Sequence, residues 1–169
     1  MVKIIAECCQ NHGGDYDLLK KMVESAVKSG ATHVKMQTIF ANNITFRPQF
    51  EEGYELSGSR LAIRRPYLNE FNRLKELEID WISHSKFIDI VKSFGATPLT
   101  TCFTHDTLEK ITQVGFQEIK IASYDCGSHS LIERLKSKFD HIYVSTGASF
   151  DDEIMLTAKI LSKENFSML

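Results

Sequence analysis

The chain has 169 residues, 43% of them hydrophobic and 25% charged, and a formal net charge of −2. This is the composition of one globular domain with a sizeable core. It lacks both the strongly basic field of a nucleic-acid binder and the acidic tracts of a disordered chain.

The start, "MVKIIAECC", has one early lysine and a short apolar stretch that runs straight into polar "QNHGGD". That is no signal peptide, and no run of about 18 apolar residues follows to span a bilayer. Asp15 is a plausible N-cap for a helix in which Leu18, Leu19, Met22, Val23, Ala26 and Val27 recur at helical spacing. Gly30 stops that helix, and "HVKMQ" follows as a second strand, completing a strand–helix–strand unit over residues 3–37.

Residues 38–78 read as irregular, too long for a simple connection, and are expected to be a functional loop or an insertion with short helices. From Asp80 a helical pattern runs to Gly95, and "TPLTTCF" is the third strand. The cycle repeats: a helix over about 106–114, the strand "EIKIAS", a helix over about 130–136 and the strand "HIYVSTG". A last helix over about 151–161, with Ser149 as N-cap, leads to "FSML", the first residues of a sixth strand. Such alternation implies parallel strands joined by right-handed crossovers, either in an open doubly wound sheet or in a (β/α)8 TIM barrel.

Polar residues at the strand ends favour the barrel. Every strand ends in them: Glu7, then Lys35 and Gln37, Thr100 and Thr101, Lys120 and Ser123, and Ser145 and Thr146. An open sheet concentrates its site at one switch point, whereas a barrel recruits nearly every strand. A closed barrel takes about 250 residues. The expectation is therefore an incomplete N-terminal portion with five to six parallel strands, its open edges prone to association.

Lys35 and Gln37 lie two apart, so they share one face of their strand. With Lys120, Thr101 and Ser123 they suit a small, multiply charged anion such as a phosphate or carboxylate. Glu7 could pair with a lysine, act as a general acid or base, or bind sugar hydroxyls. The bland alternative is an internal Lys–Glu ion pair that needs no substrate. His33 and His141 sit at strand starts, far from the chemistry, and read as structural, whereas His105 and His129 read as surface residues at the active end. Cys8, Cys9, Cys102 and Cys126 have no CxxC spacing, so reduced thiols are expected, with a soft-metal site from Cys8, Cys102 and Cys126 as an outside alternative.

Taken together, "IIAECCQNHGGDYDLLKKMVESAVKSGATHVKMQT", "LTTCF", "IKIASYD" and "VSTGAS" resemble, in order and register, the motifs of the sialic acid synthase family. The family pattern is an AE-x-x-x-NH-x-G strand and turn, a VK-[FM]-Q-T strand, STPF, KIASGD/E and STGM. The resemblance implies a (β/α)8 barrel that condenses phosphoenolpyruvate with an N-acetylated amino sugar, N-acetylmannosamine or a relative, and releases phosphate. It implies that Lys35, Thr101, Lys120 and Ser123 hold phosphoenolpyruvate, that Glu7 and Gln37 face the sugar or the reacting centre, and that Asp125 completes the fourth-strand motif. Asn11 and His12 match the first-loop motif. Glu7 or Asp125 is expected to help activate water, and Glu7→Gln to abolish turnover while leaving substrate binding largely intact.

The resemblance further implies a homodimer, while the reduced thiols suggest a cytoplasmic protein and the charge and hydropathy suggest no nucleic-acid or membrane partner. It also implies a divalent metal, Mn2+ or Mg2+, whose ligands lie beyond residue 169, as does a C-terminal antifreeze-like domain. The 169-residue piece alone is therefore expected to be inactive. Cys9 and Tyr124 stand where the family has glycine, and Cys102 where it has proline. Two further readings stay open: another phosphoenolpyruvate condensation giving a 3-deoxy keto acid, and a non-catalytic half-barrel that binds an anionic sugar or assembles with another chain.

Overall fold

The computed structural model describes residues 2–56, 59–147 and 149–169. Two compact units emerge, one formed by residues up to Thr38 together with Ile79–Leu169, the other by Ile39–Glu78.

The larger unit begins with strand β1 (Ile5–Cys9), helix α1 (Tyr16–Lys28) and strand β2 (His33–Gln37). Asp15 caps α1 as expected, its carboxylate accepting from the N–H groups of Asp17 and Leu18.

The smaller unit holds a 3-10 turn (Ala41–Asn43), a short helix α2 (Pro48–Glu51), an antiparallel hairpin of β3 (Tyr54–Leu56) and β4 (Ser59–Ala62), and helix α3 (Tyr67–Leu77). The short helices expected as one reading of this stretch are present, and the hairpin is the part that was not expected. Glu51 accepts from the Tyr67 N–H at 2.6 Å, Glu78 accepts from the Ala41 N–H, and Tyr67 packs between Phe46 and Phe71. These contacts link residues far apart in the segment, so no local periodicity announces them.

The larger unit resumes with α4 (Trp81–Ser93), β5 (Thr97–Cys102), α5 (His105–Val114) and β6 (Glu118–Ile121). A 3-10 turn (Ser123–Asp125), α6 (His129–Leu135), β7 (His141–Val144), α7 (Asp151–Ile160) and β8 (Phe166–Met168) complete it. Phe150, not Ser149, is the N-cap residue of α7. The Glu153 carboxylate takes the Phe150 N–H at 2.8 Å, while the Ser149 hydroxyl donates to the Ser123 carbonyl at 3.2 Å.

All six strands of the main sheet are parallel, in the order β1-β2-β5-β6-β7-β8. Each new strand is added on the same side. A doubly wound sheet reverses direction at its switch point; this one never reverses, and it is an arc of a (β/α)-barrel. "FSML" supplies the sixth strand, as expected.

Alternation along the strands divides the two faces. Val34, Met36, Ile119, Ile121, Ile142 and Val144 pack against Leu19, Val23, Phe87, Val91, Leu108, Ile111 and Ile132 of the helices. Each side chain buried there contributes about 1.5–3 kcal/mol. The other face is polar. Near the strand starts Glu118 accepts from the Tyr143 hydroxyl at 2.8 Å and lies 3.1 Å from His33 Nε2, and Lys3 donates to Tyr143 at 2.8 Å. Burial holds the His33 imidazole below its ordinary value against the pull of Glu118, so its contact is a hydrogen bond from a neutral ring. His141 meets Ser167 at 2.9 Å. Both histidines read as structural therefore belong to polar networks at the far end of the strands.

Candidate active site

The charged centre is built around Lys35. Parallel pairing sets Glu7 of β1 opposite Lys35 of β2, and sets Thr101 of β5 level with both Gln37 of β2 and Lys120 of β6. From this register the Lys35 ammonium lies 2.6 Å from Glu7 Oε2 and donates to Thr101 Oγ1 at 2.8 Å. Its side chain is only 2% exposed, whereas that of Glu7 is 43% exposed. A charged side chain is that deeply buried only when paired, and the Lys–Glu ion pair of the bland alternative is indeed present.

A bulge in β1 positions the carboxylate. The register with β2 shifts between Glu7 and Cys9, and Cys9 adopts φ 52°. This turns the Cys9 N–H back on Glu7 Oε1, at 2.8 Å. The two carboxylate oxygens thus have different partners, one an amide and the other an ammonium. Cys8 beside it is buried, and burial together with the Glu7 charge pushes its thiol up to about 11, so it stays protonated and unreactive.

Lys120 is the group an internal ion pair does not account for. It is half-buried, donates weakly to the Ile121 carbonyl at 3.4 Å, and forms no salt bridge among the described residues. Burial lowers its pKa, the Lys35 charge lowers it further, and Glu7 offsets only part. Two ammonium groups therefore share one carboxylate, an arrangement that attracts an anion.

The other expected residues surround this centre less directly. Ser123 opens the 3-10 turn after β6, its carbonyl taking the Cys126 N–H. The Asp125 carboxylate accepts from the Ser128 hydroxyl at 3.4 Å, on the α6 side of the same turn. Tyr124, between them, is 93% exposed. Asn11 is exposed in the turn after β1, its N–H bonded to the Cys8 carbonyl. His12 is buried, its Nδ1 accepting from the Gly14 N–H at 3.1 Å, and burial lowers its pKa despite Asp15.

His105 and His129 are not surface residues. They are half-buried and line a cleft of about 430 Å³ between Phe103–His105 and Gly127–Leu131, separate from the lysines. His105 Nδ1 and His129 Nε2 are buried there without a hydrogen-bond partner among the described residues. Cys8, Cys9, Cys102 and Cys126 are free thiols. Among the described residues no group of three or more His, Cys, Asp or Glu side chains is placed to hold a metal ion, so the present residues do not fit the divalent metal implied by the resemblance.

On the helix-covered face of the sheet, buried His84 of α4 reaches Thr38 at 3.1 Å, and Thr38 reaches Thr100 at 2.8 Å. Thr38 opens the stretch expected to be irregular, Thr100 is a strand-end polar residue and His84 falls inside a helical pattern, so nothing in the sequence signals that they meet.

Among curated relatives, N,N'-diacetyllegionaminic acid synthase of Campylobacter jejuni (serotype O:2) is 28% identical over 160 residues, 95% of this chain and 46% of that protein. Pseudaminic acid synthase of Campylobacter jejuni (serotype O:23/36) is 24% identical over 163 residues, 96% of this chain and 46% of that protein. The chain spans about half the length of the curated relatives it matches. The fold is shared with the N-acetylneuraminic acid (sialic acid) synthetase from Leptospira borgpetersenii, whose crystal structure is a complex with citrate. The TM-score is 0.79 at 23% identity, over 99% of this chain and 53% of that one. The NeuB family model matches residues 22–169, most of the chain's length, and the chain belongs to the NeuB family.

Proposed function

We propose that the protein condenses phosphoenolpyruvate with the open-chain aldehyde of an N-acylated amino sugar, N-acetylmannosamine or a relative, to give a sialic-acid-type nonulosonic acid and phosphate. The observation that carries this reading is Lys120, half-buried, without a salt bridge among the described residues, and subject to the charges of the Lys35–Glu7 pair. An ion pair alone would explain Lys35, but Glu7 offsets the burial of Lys120 and the repulsion from Lys35 only in part, which favours the arrival of an anion. The named activities of the Campylobacter relatives support the same class of product.

In this mechanism Lys35, Lys120 and Thr101, with Ser123 at the rim, hold the phosphate and carboxylate of phosphoenolpyruvate. The enol carbon bonds to the aldehyde carbon, whose oxygen takes a proton. Water adds to the resulting cationic carbon and phosphate then departs, leaving a keto group. Glu7, half-exposed and held from behind by the Cys9 N–H, has a carboxylate oriented toward the centre and able to accept a proton from that water. Gln37, level with Thr101 and Lys120, would meet the sugar, and Asp125, which accepts from the Ser128 hydroxyl, is the second carboxylate that would help activate the water. The reading includes a divalent metal, for which the described residues offer no cluster of three ligands, together with a homodimer and a cytoplasmic setting.

The test is phosphate release from phosphoenolpyruvate by the complete gene product, with N-acetylmannosamine and manganese and a chelated control. Release that requires both sugar and metal is expected. Release with a different amino sugar moves the substrate but keeps the chemistry. Silence with every amino sugar rejects the condensation and leaves an anion-binding half-barrel.

A further inference from the structure

His84 sits in the first turn of α4, 1% exposed, and its hydrogen-bond directions can be assigned. Its Nδ1 lies 2.8 Å from the Asp80 carbonyl oxygen, which can only accept, so Nδ1 carries the proton. Burial lowers the pKa of the ring, opposed by Asp80 and reinforced by His12, the titratable groups that face it. The ring is therefore neutral and Nε2 is an acceptor. Thr38 Oγ1, 3.1 Å away, must donate to it. Having spent its hydrogen, Thr38 accepts from Thr100 Oγ1 at 2.8 Å, and the Met36 carbonyl, 3.3 Å from Thr100, takes the weaker share of that hydrogen. Each hydroxyl in the chain has one direction, set by His84.

This hydrogen-bonded series ties the residue just past the end of β2 to the C-terminal half of the neighbouring β5. Thr38 directly follows Gln37, and Thr100 directly precedes Thr101. Alternation puts Thr38 and Thr100 on the helix side while Lys35, Gln37 and Thr101 face the charged centre. Any drift between the ends of β2 and β5 would therefore change the Lys35–Thr101 contact on the opposite face.

We propose that His84 is a positioning residue for the anion site, acting through Thr38 and Thr100 to hold Thr101 and Gln37 at the geometry that Lys35 and Lys120 require. This rests on the reading that those residues receive phosphoenolpyruvate.

The experiment is calorimetric titration of the complete gene product with phosphoenolpyruvate, alongside its KM, for the native protein and for Thr38→Val, Thr100→Val, His84→Phe and His84→Gln. Valine removes only the hydroxyl. Phenylalanine keeps ring volume without the acceptor, and glutamine returns a polar group near Nε2. The expected result is affinity weakened on the order of tenfold to a hundredfold in Thr38→Val and His84→Phe, with partial recovery in His84→Gln. Combining Thr38→Val with His84→Phe should cost no more than the worse single change, because both break one chain. Unchanged affinity in folded Thr38→Val and Thr100→Val, or a fully additive loss, overturns the proposal. If His84→Phe fails to fold, the two valine variants still decide. Absence of phosphoenolpyruvate binding by the native protein would instead sink the functional reading on which the proposal stands.

Discussion

Removing the charge of Glu7 should cost far more stability than removing the charge of Lys35, although the two form one ion pair. The reason is their unequal burial, 2% exposure for the Lys35 side chain against 43% for Glu7. At their 2.6 Å separation, Coulomb attraction at an effective dielectric of about 20 is roughly 6 kcal/mol. Solvent around Glu7 screens much of this, so about 2–3 kcal/mol is the expected cost of Glu7→Gln. That variant leaves the Lys35 ammonium buried beside Lys120 without its carboxylate. Lys35→Met leaves only a half-exposed carboxylate that can turn to water and still has the Cys9 N–H. It also removes a charge that bears on Lys120. Its cost should stay below about 1 kcal/mol. Urea unfolding of the complete gene product, followed by circular dichroism, measures both. The double variant should resemble Lys35→Met alone. Equal losses, or a larger loss for Lys35→Met, would refute the argument from asymmetric burial.

Lys120 has a pKa below its ordinary 10.5, so between that lowered value and the ordinary one the native state binds fewer protons than the unfolded chain. Stability contributed by this site therefore rises with pH through that window. An anion in the site reverses the shift. Titration with inorganic phosphate at a pH between the lowered value and the ordinary one should take up protons, and this uptake should vanish in Lys120→Met. Comparing binding heats in two buffers of different ionisation enthalpy reads it directly. Cys9 at φ 52° occupies the left-handed region that glycine adopts freely. Cys9→Gly should release that strain, offset by the greater freedom of the unfolded chain, for a net gain of roughly 0.5–1 kcal/mol in the same urea assay. A loss would mean that the Cys9 side chain contributes packing that its partial exposure does not reveal.

Much of the active face was legible because strand geometry is local. A two-residue period put Lys35 and Gln37 on one face, and Asp15 before an apolar helical pattern announced a cap. Repeated strand–helix units fixed the class of fold, and polar residues at each strand end pointed to a barrel. Residues 39–78 stayed opaque because their order comes from hydrogen bonds and ring contacts between distant positions, such as Glu51 with Tyr67. Ser149 resembled a cap by type, but its hydroxyl is taken by the Ser123 carbonyl.

Residue order dictates the alternation of elements, the side of each strand on which a residue lies, and the kinds of charge available at the strand ends. Tertiary structure alone decided which charges are compensated. Glu7 and Lys35 meet because β1 pairs with β2, leaving Lys120 without a salt bridge among the described residues. Likewise His84 governs Thr38 and Thr100 from 46 residues beyond the first, across a contact between hydroxyls 62 residues apart. Hydrogen bonds and charge pairs act over a few ångströms, and only the packed sheet brings such distant residues within that range.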